Sequence, residues 1–303
     1  MTNLKMNSLK SKKKILILGS TGMLGHQLYN FFKKKKYPVR GLCRNKKKIL
    51  NKYIKQNKFI SLDLNKLNEL EKIIRKYKPN FVINCAGIIK QKTNKYNEDK
   101  IYFINSYLPN YLSILAKKNN FKFIHISTDC VFDGNKGNYT ETDIPNSIDA
   151  YGFSKSLGEV SSFNCLTLRT SIIGHEIYEQ NGLLEWFLKQ KKIWGYKNAF
   201  FSGVTTLELS KIIEKVLKLN LKNGIYNVAS KKINKYELLL LIKNIYAKDT
   251  VILPSSKLSI DRSLNGSFFK KMSKINISSW KKMIVEQKKN YLNKKKFYEY
   301  FQK

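Results

Sequence analysis

Tyr151 and Lys155, four residues apart, are the pair in this 303-residue sequence whose types and spacing most suit chemistry. On a helix, residues four apart lie one above the other on the same face. An ammonium beside a phenol favours the phenolate, so this spacing predicts a tyrosine pKa drawn down from about 10 toward neutrality, where the phenol exchanges protons readily. Thr128, just after an apolar run at 121–126, offers a second hydroxyl, and Asp129 sets a carboxylate beside it. A tyrosine and a lysine one turn apart also occur in ordinary helices, so the pair gains meaning only from the elements that position it.

The first of those elements is a short apolar run, Ile15–Leu18, that ends at Gly19-Ser20-Thr21-Gly22-Met23-Leu24-Gly25 and continues into a helix-like segment. Strand, glycine loop and helix in that order suit a dinucleotide: small residues make the turn and let backbone N–H groups approach a pyrophosphate. Gly19, Thr21, Gly22, Met23, Leu24 and Gly25 are the candidate phosphate-binding residues; a tight turn without a ligand is the plain alternative. A second run, Val39–Cys43, ends at Arg44, and no acidic residue stands between positions 38 and 50. An arginine there accommodates a 2′-phosphate, which predicts NADPH as the cofactor, with NADH as the alternative and Arg40 as the second-choice partner. Asp63 and Leu64 follow a third run, where Asp63 either reaches the adenine or caps the next helix.

Phe81-Val82-Ile83-Asn84 is the fourth run, and the small residues Cys85, Ala86 and Gly87 at its end leave room for a cofactor to cross the sheet. A helix over 101–118 carries Asn105, and the run at 121–126 delivers Thr128 and Asp129. His125 alternates with apolar residues in that run and reads as a packing histidine. This alternation of strands and helices predicts an α/β fold with a doubly wound parallel sheet of the Rossmann type. The expected organisation is a basic tail over 1–13, a nucleotide-binding domain over 14–170 with an added strand near 224–229, and a smaller α/β substrate-binding lobe over 171–303.

Bulk properties narrow the partners. With 42% hydrophobic and 13% aromatic residues the chain is of a kind that folds. Its 58 basic and 21 acidic residues give a net charge of +37, which ordinarily points to a polyanion. The lysines, however, run from Lys5 to Lys303 among abundant Asn, Ile, Tyr and Phe, all with AT-rich codons, and arginines are few. Genome composition explains that pattern, so a specific nucleic-acid partner is not expected, only weak salt-sensitive attraction to polyanions. Cys43, Cys85, Cys130 and Cys165 form no Cys-x-x-Cys pair, and His175-Glu176 lacks a third ligand at suitable spacing, so no metal site is expected. Free thiols and the lack of a signal-like segment favour the cytoplasm, and no run approaches the ~18 apolar residues of a membrane span.

Taken together, Gly19-x-x-Gly22-x-x-Gly25, Asn84-Cys85-Ala86-Gly87, Ile104-Asn105-x-x-x-Pro109, Ser127-Thr128-Asp129-x-Val131-Phe132-Asp133-Gly134 and Tyr151-Gly152-x-Ser154-Lys155-x-x-x-Glu159 resemble the extended short-chain dehydrogenase/reductase family. Within it the chain is most similar to the dTDP-4-dehydrorhamnose reductases. The likeness continues more loosely through Leu168-Arg169-Thr170-Ser171, Gly224-Ile225-Tyr226-Asn227 and Asp261-Arg262-Ser263. It implies hydride transfer from NADPH to the 4-keto carbon of a nucleotide-linked 6-deoxyhexose, in the synthesis of surface polysaccharide precursors. By the same resemblance, Tyr151 donates the proton, and Lys155 assists it and holds the nicotinamide ribose. Thr128 binds the carbonyl oxygen, Asp129 lies beside the sugar with Val131, Asn105 holds a helix kink or water relay behind the lysine, and Arg262 is a candidate for the diphosphate.

The second half is less regular. Trp186, Phe187 and Trp194 are candidates for stacking on a base or sugar, although such residues often pack in cores. Ser171-Ile172-Ile173-Gly174 and Ser202-Gly203-Val204-Thr205 depart from the reductase pattern at positions that shape the sugar pocket, which puts rhamnose itself in doubt. Two other functions fit the sequence: an epimerase or dehydratase that keeps its nicotinamide bound, and a non-catalytic nucleotide-sensing module. Either a monomer or a homodimer is compatible with it.

Overall fold

The computed structural model describes residues 13–44, 59–178 and 181–302, so the expected basic tail lies, apart from Lys13, outside the described residues. The chain begins with β1 (Ile15–Leu18), all four residues buried, and passes through the glycine loop into α1 (Met23–Lys34). It continues through β2 (Val39–Cys43), β3 (Phe59–Ser61), α2 (Leu67–Tyr77) and β4 (Phe81–Asn84). The helix expected over 101–118 is three pieces of one helical path: α3 (Glu98–Tyr102), a π-helical turn over Phe103–Tyr107, and α4 (Leu108–Asn119). β5 (Lys122–Thr128), α5 (Ala150–Leu157) and β6 (Cys165–Thr170) complete the first half.

The second half makes shorter excursions. β7 (Ile172–Ile173), α6 (Leu183–Leu188), the long β8 (Lys192–Phe201) and β9 (Val204–Thr205) precede α7 (Thr206–Lys218). β10 (Gly224–Asn227) then returns to the main sheet, followed by β11 (Ile233–Asn234), α8 (Lys235–Tyr246), β12 (Val251–Asp261), α9 (Ser267–Ser273), α10 (Trp280–Leu292) and α11 (Lys295–Gln302).

The main sheet has seven strands in the order β10-β6-β5-β4-β1-β2-β3. Every pair in it is parallel, which makes it the doubly wound sheet the alternation predicts. A parallel sheet is buried on both faces, and two apolar layers cover this one. One packs Ile15, Ile17, Ile83, Ile124 and Leu168 against α1 and α7; the other packs Leu16, Leu18, Val82 and Phe123 against α2 and α4. The added strand expected near 224–229 is β10, which pairs with β6. The lobe holds a separate three-stranded sheet, β11-β8-β12, and β7 pairs with β9. The two segments that depart from the reductase pattern are therefore partners: Ile172 faces Val204 and Ile173 faces Thr205.

Candidate active site

β1 and β4 are neighbours, and the chain leaves them in opposite directions across the sheet, which opens a crevice beyond their carboxyl ends. Gly19 sits there with φ +68°, and a Cβ on it would lie 2.7 Å from the Ala86 nitrogen. One turn into α1, a Cβ on Gly25 would come within 2.1 Å of the Gly19 carbonyl oxygen. Only glycine fits either position. Gly22 is exposed and caps α1 without a side-chain hydrogen bond, and no acidic residue stands in the first turn. The first-turn N–H groups and the positive end of the helix dipole thus meet the crevice, an arrangement that suits an anion. Thr21 and Met23 line this turn half-buried, whereas Leu24 sends its side chain into the core and leaves only its backbone to the loop.

Arg44 lies exposed at the end of β2, its Nη1 donating to the Tyr96 hydroxyl at 3.4 Å. Arg40, the second choice for a 2′-phosphate, is instead stacked on the Tyr77 ring, 4.4 Å from its centroid, because it stands at the start of β2 and not at its carboxyl end. Asp63 accepts from the Asn65 N–H at 3.1 Å in the turn that leads to α2, and Leu64 packs against the apolar layer under α2 and α4. At the β4 exit, Asn105 clamps the strand end. Its Oδ1 accepts from the Ile88 N–H, and its Nδ2 donates to the Ile88 carbonyl and to Ser154 Oγ, at 2.9, 3.0 and 3.0 Å. The π-turn that carries Asn105 aims this amide. Asn105 therefore ties Gly87-Ile88 to α5.

α5 comes close to the end of β5 because Gly152 has no side chain: a Cβ there would sit 2.1 Å from the Cys130 carbonyl oxygen. Asp149 caps the helix by accepting from the Gly152 N–H at 2.9 Å, and Lys90 pairs with Asp149 at 2.8 Å. Tyr151, half-buried, thereby stands near the Thr128 hydroxyl. Thr128 Oγ1 donates to Asp129 Oδ1 at 3.2 Å and accepts from the Cys130 N–H at 3.1 Å. Val131 is fully buried beneath them.

The expected lowering of the Tyr151 pKa is not what the structure shows. Burial pushes the phenol up, Cys130, Asp129 and Asp149 push it the same way, and only the Thr128 contact opposes them. The reason is the direction of Lys155, whose Nζ donates to the Ile126 carbonyl at 2.8 Å and lies 3.1 Å from His125 Nε2, under the strand end. Burial brings Lys155 itself down to about 8, against the pull of Glu159 and Cys85. Cys85 and Cys130 are raised by burial, Cys130 to about 12, so both stay protonated thiols. His125 does more than pack, since it bridges Asn84 and Lys155. Behind α5, Glu159 accepts two hydrogen bonds from Arg169, at 2.8 and 2.7 Å, and one from Ser127 at 2.7 Å.

The lobe adds cations to the open side. Arg262 Nε donates to the Phe132 carbonyl at 2.9 Å, and its Nη1 lies 3.7 Å from Cys130 Sγ. Lys235, at the start of α8, stands 3.8 Å over the Phe201 ring and feels the charge of Asp129, though burial lowers its pKa. The sequence reading missed Lys235; its only signal was the Asn234 cap before a helix, which says nothing of where the lysine points. Phe187 is buried in the core and cannot stack on a ligand, whereas Trp186 and Trp194 are exposed. Among the described residues no helix is long and apolar enough to cross a membrane.

A glycine-lined crevice at the switch point of a parallel sheet, flanked by a Thr-Tyr-Lys corner, defines a dinucleotide-binding α/β protein of the short-chain dehydrogenase/reductase type. The family model for the RmlD substrate binding domain matches residues 13–193, and the chain belongs to that family. A dTDP-4-dehydrorhamnose reductase of Aggregatibacter actinomycetemcomitans is 36% identical over 118 residues, 37% of this chain and 40% of that protein. The beta subunit of methionine adenosyltransferase 2 from Danio rerio is 28% identical over 148 residues, 48% of this chain and 42% of that protein. These matches span less than half the length of the curated relatives. Among solved structures, a dTDP-4-dehydrorhamnose reductase from Bacillus anthracis in complex with NADP superposes with a TM-score of 0.76 at 21% identity, covering 92% of this chain and 99% of that one.

Proposed function

We propose that this protein is an NADPH-dependent reductase of the 4-keto group of a nucleotide-linked 6-deoxyhexose, supplying precursors for surface polysaccharide. The observation that carries the reading is the corner where Tyr151 stands near Thr128, two strands over from the glycine loop and at the same carboxyl edge of the sheet. Gly19 and Gly25 let the loop close tightly on β4 and α1, and exposed Gly22 leaves the α1 N-terminus open, which fits a pyrophosphate. Gly19, Thr21, Gly22, Met23, Leu24, Gly25, Cys85, Ala86 and Gly87 would hold the dinucleotide, with Arg44 at a 2′-phosphate and Asp63-Leu64 near the adenine. When bound, NADPH supplies a hydride to the carbonyl carbon.

Thr128 would hold the carbonyl oxygen, and Tyr151 would give it a proton as charge develops there; a donor so placed is commonly worth about 3 kcal/mol of barrier. Arg262 and Lys235 would face the diphosphate, and Asp129 the sugar. The paired β7 and β9 segments, both unlike the reductase pattern, favour a 4-keto sugar other than that of rhamnose synthesis.

The test is a panel of 4-keto-6-deoxy sugar nucleotides, each followed by NADPH absorbance. Stoichiometric oxidation with at least one of them supports the reading. No oxidation with any would favour the second reading, which the match to a methionine adenosyltransferase subunit supports: a dinucleotide-binding module that serves another protein.

A further inference from the structure

The chain of hydrogen bonds behind the Thr-Tyr-Lys corner determines where its protons sit. Asn84 is fully buried at the end of β4, and its Oδ1 accepts from the Ala86 backbone N–H at 3.1 Å. A backbone N–H only donates, so the orientation of the amide is fixed and the group it turns to β5 is its Nδ2, itself a donor. Nδ2 lies 3.2 Å from His125 Nδ1, which must therefore accept. A neutral imidazole has one donor and one acceptor nitrogen, so the proton of His125 is on Nε2. That N–H points at Lys155 Nζ, 3.1 Å away. An ammonium has three donors and no acceptor, whereas a neutral amine has a lone pair. The sequence of bonds from Ala86 through Asn84, His125 and Lys155 to the Ile126 carbonyl is satisfied at every atom only when Lys155 is an amine.

We propose that Asn84 and His125 form a positioning pair that holds an N–H donor against Lys155, so that the lysine releases one proton to solvent near neutral pH instead of carrying a permanent charge. The inference deepens the reductase reading and rests on it for its kinetic consequence. Lys155 is faced by Cys85 just after β4, by His125 and the Ile126 carbonyl from β5, and by Glu159 just past the end of its own helix. Glu159 favours the ammonium, but Arg169 of β6 already takes two of its hydrogen bonds. Burial acts in the same direction as the histidine donor and also keeps His125 neutral. In the free protein the lysine is thus poised to take up a proton when an anionic cofactor arrives, and the group that assists Tyr151 responds to pH.

Nitrogen NMR of the cofactor-free protein labelled with 15N-histidine tests the first step; the chain has three histidines, and the His125 signals are those lost in His125→Gln. The expected result is the Nε2–H tautomer from pH 6 to 9 (about the neutral range of an unperturbed histidine and above it), and a switch to Nδ1–H in Asn84→Asp, whose carboxylate accepts. An Nδ1–H or doubly protonated ring in the unmodified protein overturns the proposal. The second arm is the pH profile of NADPH oxidation with a ketosugar nucleotide. Reduction needs the ammonium, so the rate falls as pH rises through the Lys155 pKa. His125→Gln offers the lysine a carbonyl acceptor, and the falling limb should move up by at least about one pH unit, a tenfold change in proton affinity; a limb that stays or moves down overturns it. The tautomer readout needs neither cofactor nor substrate. The correct tautomer without ketosugar-dependent oxidation therefore sinks the reductase reading alone, and a working reductase with the Nδ1–H tautomer sinks this inference alone.

Discussion

The two walls of the cleft are built by different means. The cofactor wall is backbone against backbone: Gly19 against Ala86, Gly25 against Gly19, and Gly152 of α5 against Cys130, with no space for a Cβ at any of the three. The wall contributed by the lobe is a set of long side chains. Lys235 and Arg262 reach the corner from segments far beyond Lys155 in sequence, Lys235 over a ring and Arg262 through a carbonyl bond and a contact with Cys130 Sγ. Contacts of the first kind fail when a single methyl is added, because protein interiors transmit strain. Contacts of the second kind are exchangeable one side chain at a time. A fold that varies its substrate while keeping its cofactor would be expected to divide the labour in this way.

The largest effect should come where the walls meet. Tyr151→Phe removes the proposed proton donor and is expected to lower kcat by about 10²- to 10⁴-fold while leaving NADPH affinity, measured by fluorescence titration, nearly unchanged. Next comes the cofactor wall: Gly25→Ala should destabilise the fold by about 1–3 kcal/mol through overpacking, read from chemical denaturation, and should weaken NADPH binding at the same time. On the opposite wall, Lys235→Ala should leave stability and kcat nearly intact and raise KM by about tenfold to a hundredfold, the worth of a hydrogen bond to a charged group. Equal losses of stability from the glycine and the lysine substitutions would break the comparison. The smallest effect is expected from Arg44→Ser: at an exposed site a single charge is worth about 1 kcal/mol at most, so the ratio of NADPH to NADH efficiency should fall by about fivefold or less.

The same division explains what the sequence made legible. Backbone contacts leave a local signature, since a position that admits only glycine shows as glycine; Gly19, Gly22 and Gly25 and the strand before them could be read directly, and so could the parallel sheet. Tyr151 and Lys155 were legible as a pair but not in their electrostatics. Spacing sets where the Cα atoms stand, and the direction of a four-carbon side chain is set by its partners, here the Ile126 carbonyl and His125. His125 itself looked like packing because its alternation with apolar residues is that of any buried strand residue; its role depends on Asn84, 41 residues earlier. Phe187 was legible as an aromatic that stacks or packs in the core, with nothing to choose between them, and Lys235 gave no signal beyond the Asn234 cap, because the return of the chain through β10 and β11 that brings it to Asp129 has no short-range pattern.

The most direct test of the central claim is isotopic. With NADPH carrying deuterium at the transferable position of its nicotinamide and a ketosugar nucleotide that the protein consumes, a reductase built on this corner leaves one deuterium on C4 of the product sugar for each NADPH oxidised, and Tyr151→Phe forms almost none. A product without deuterium, or turnover without net oxidation of NADPH, would show an epimerase or dehydratase and contradict the account.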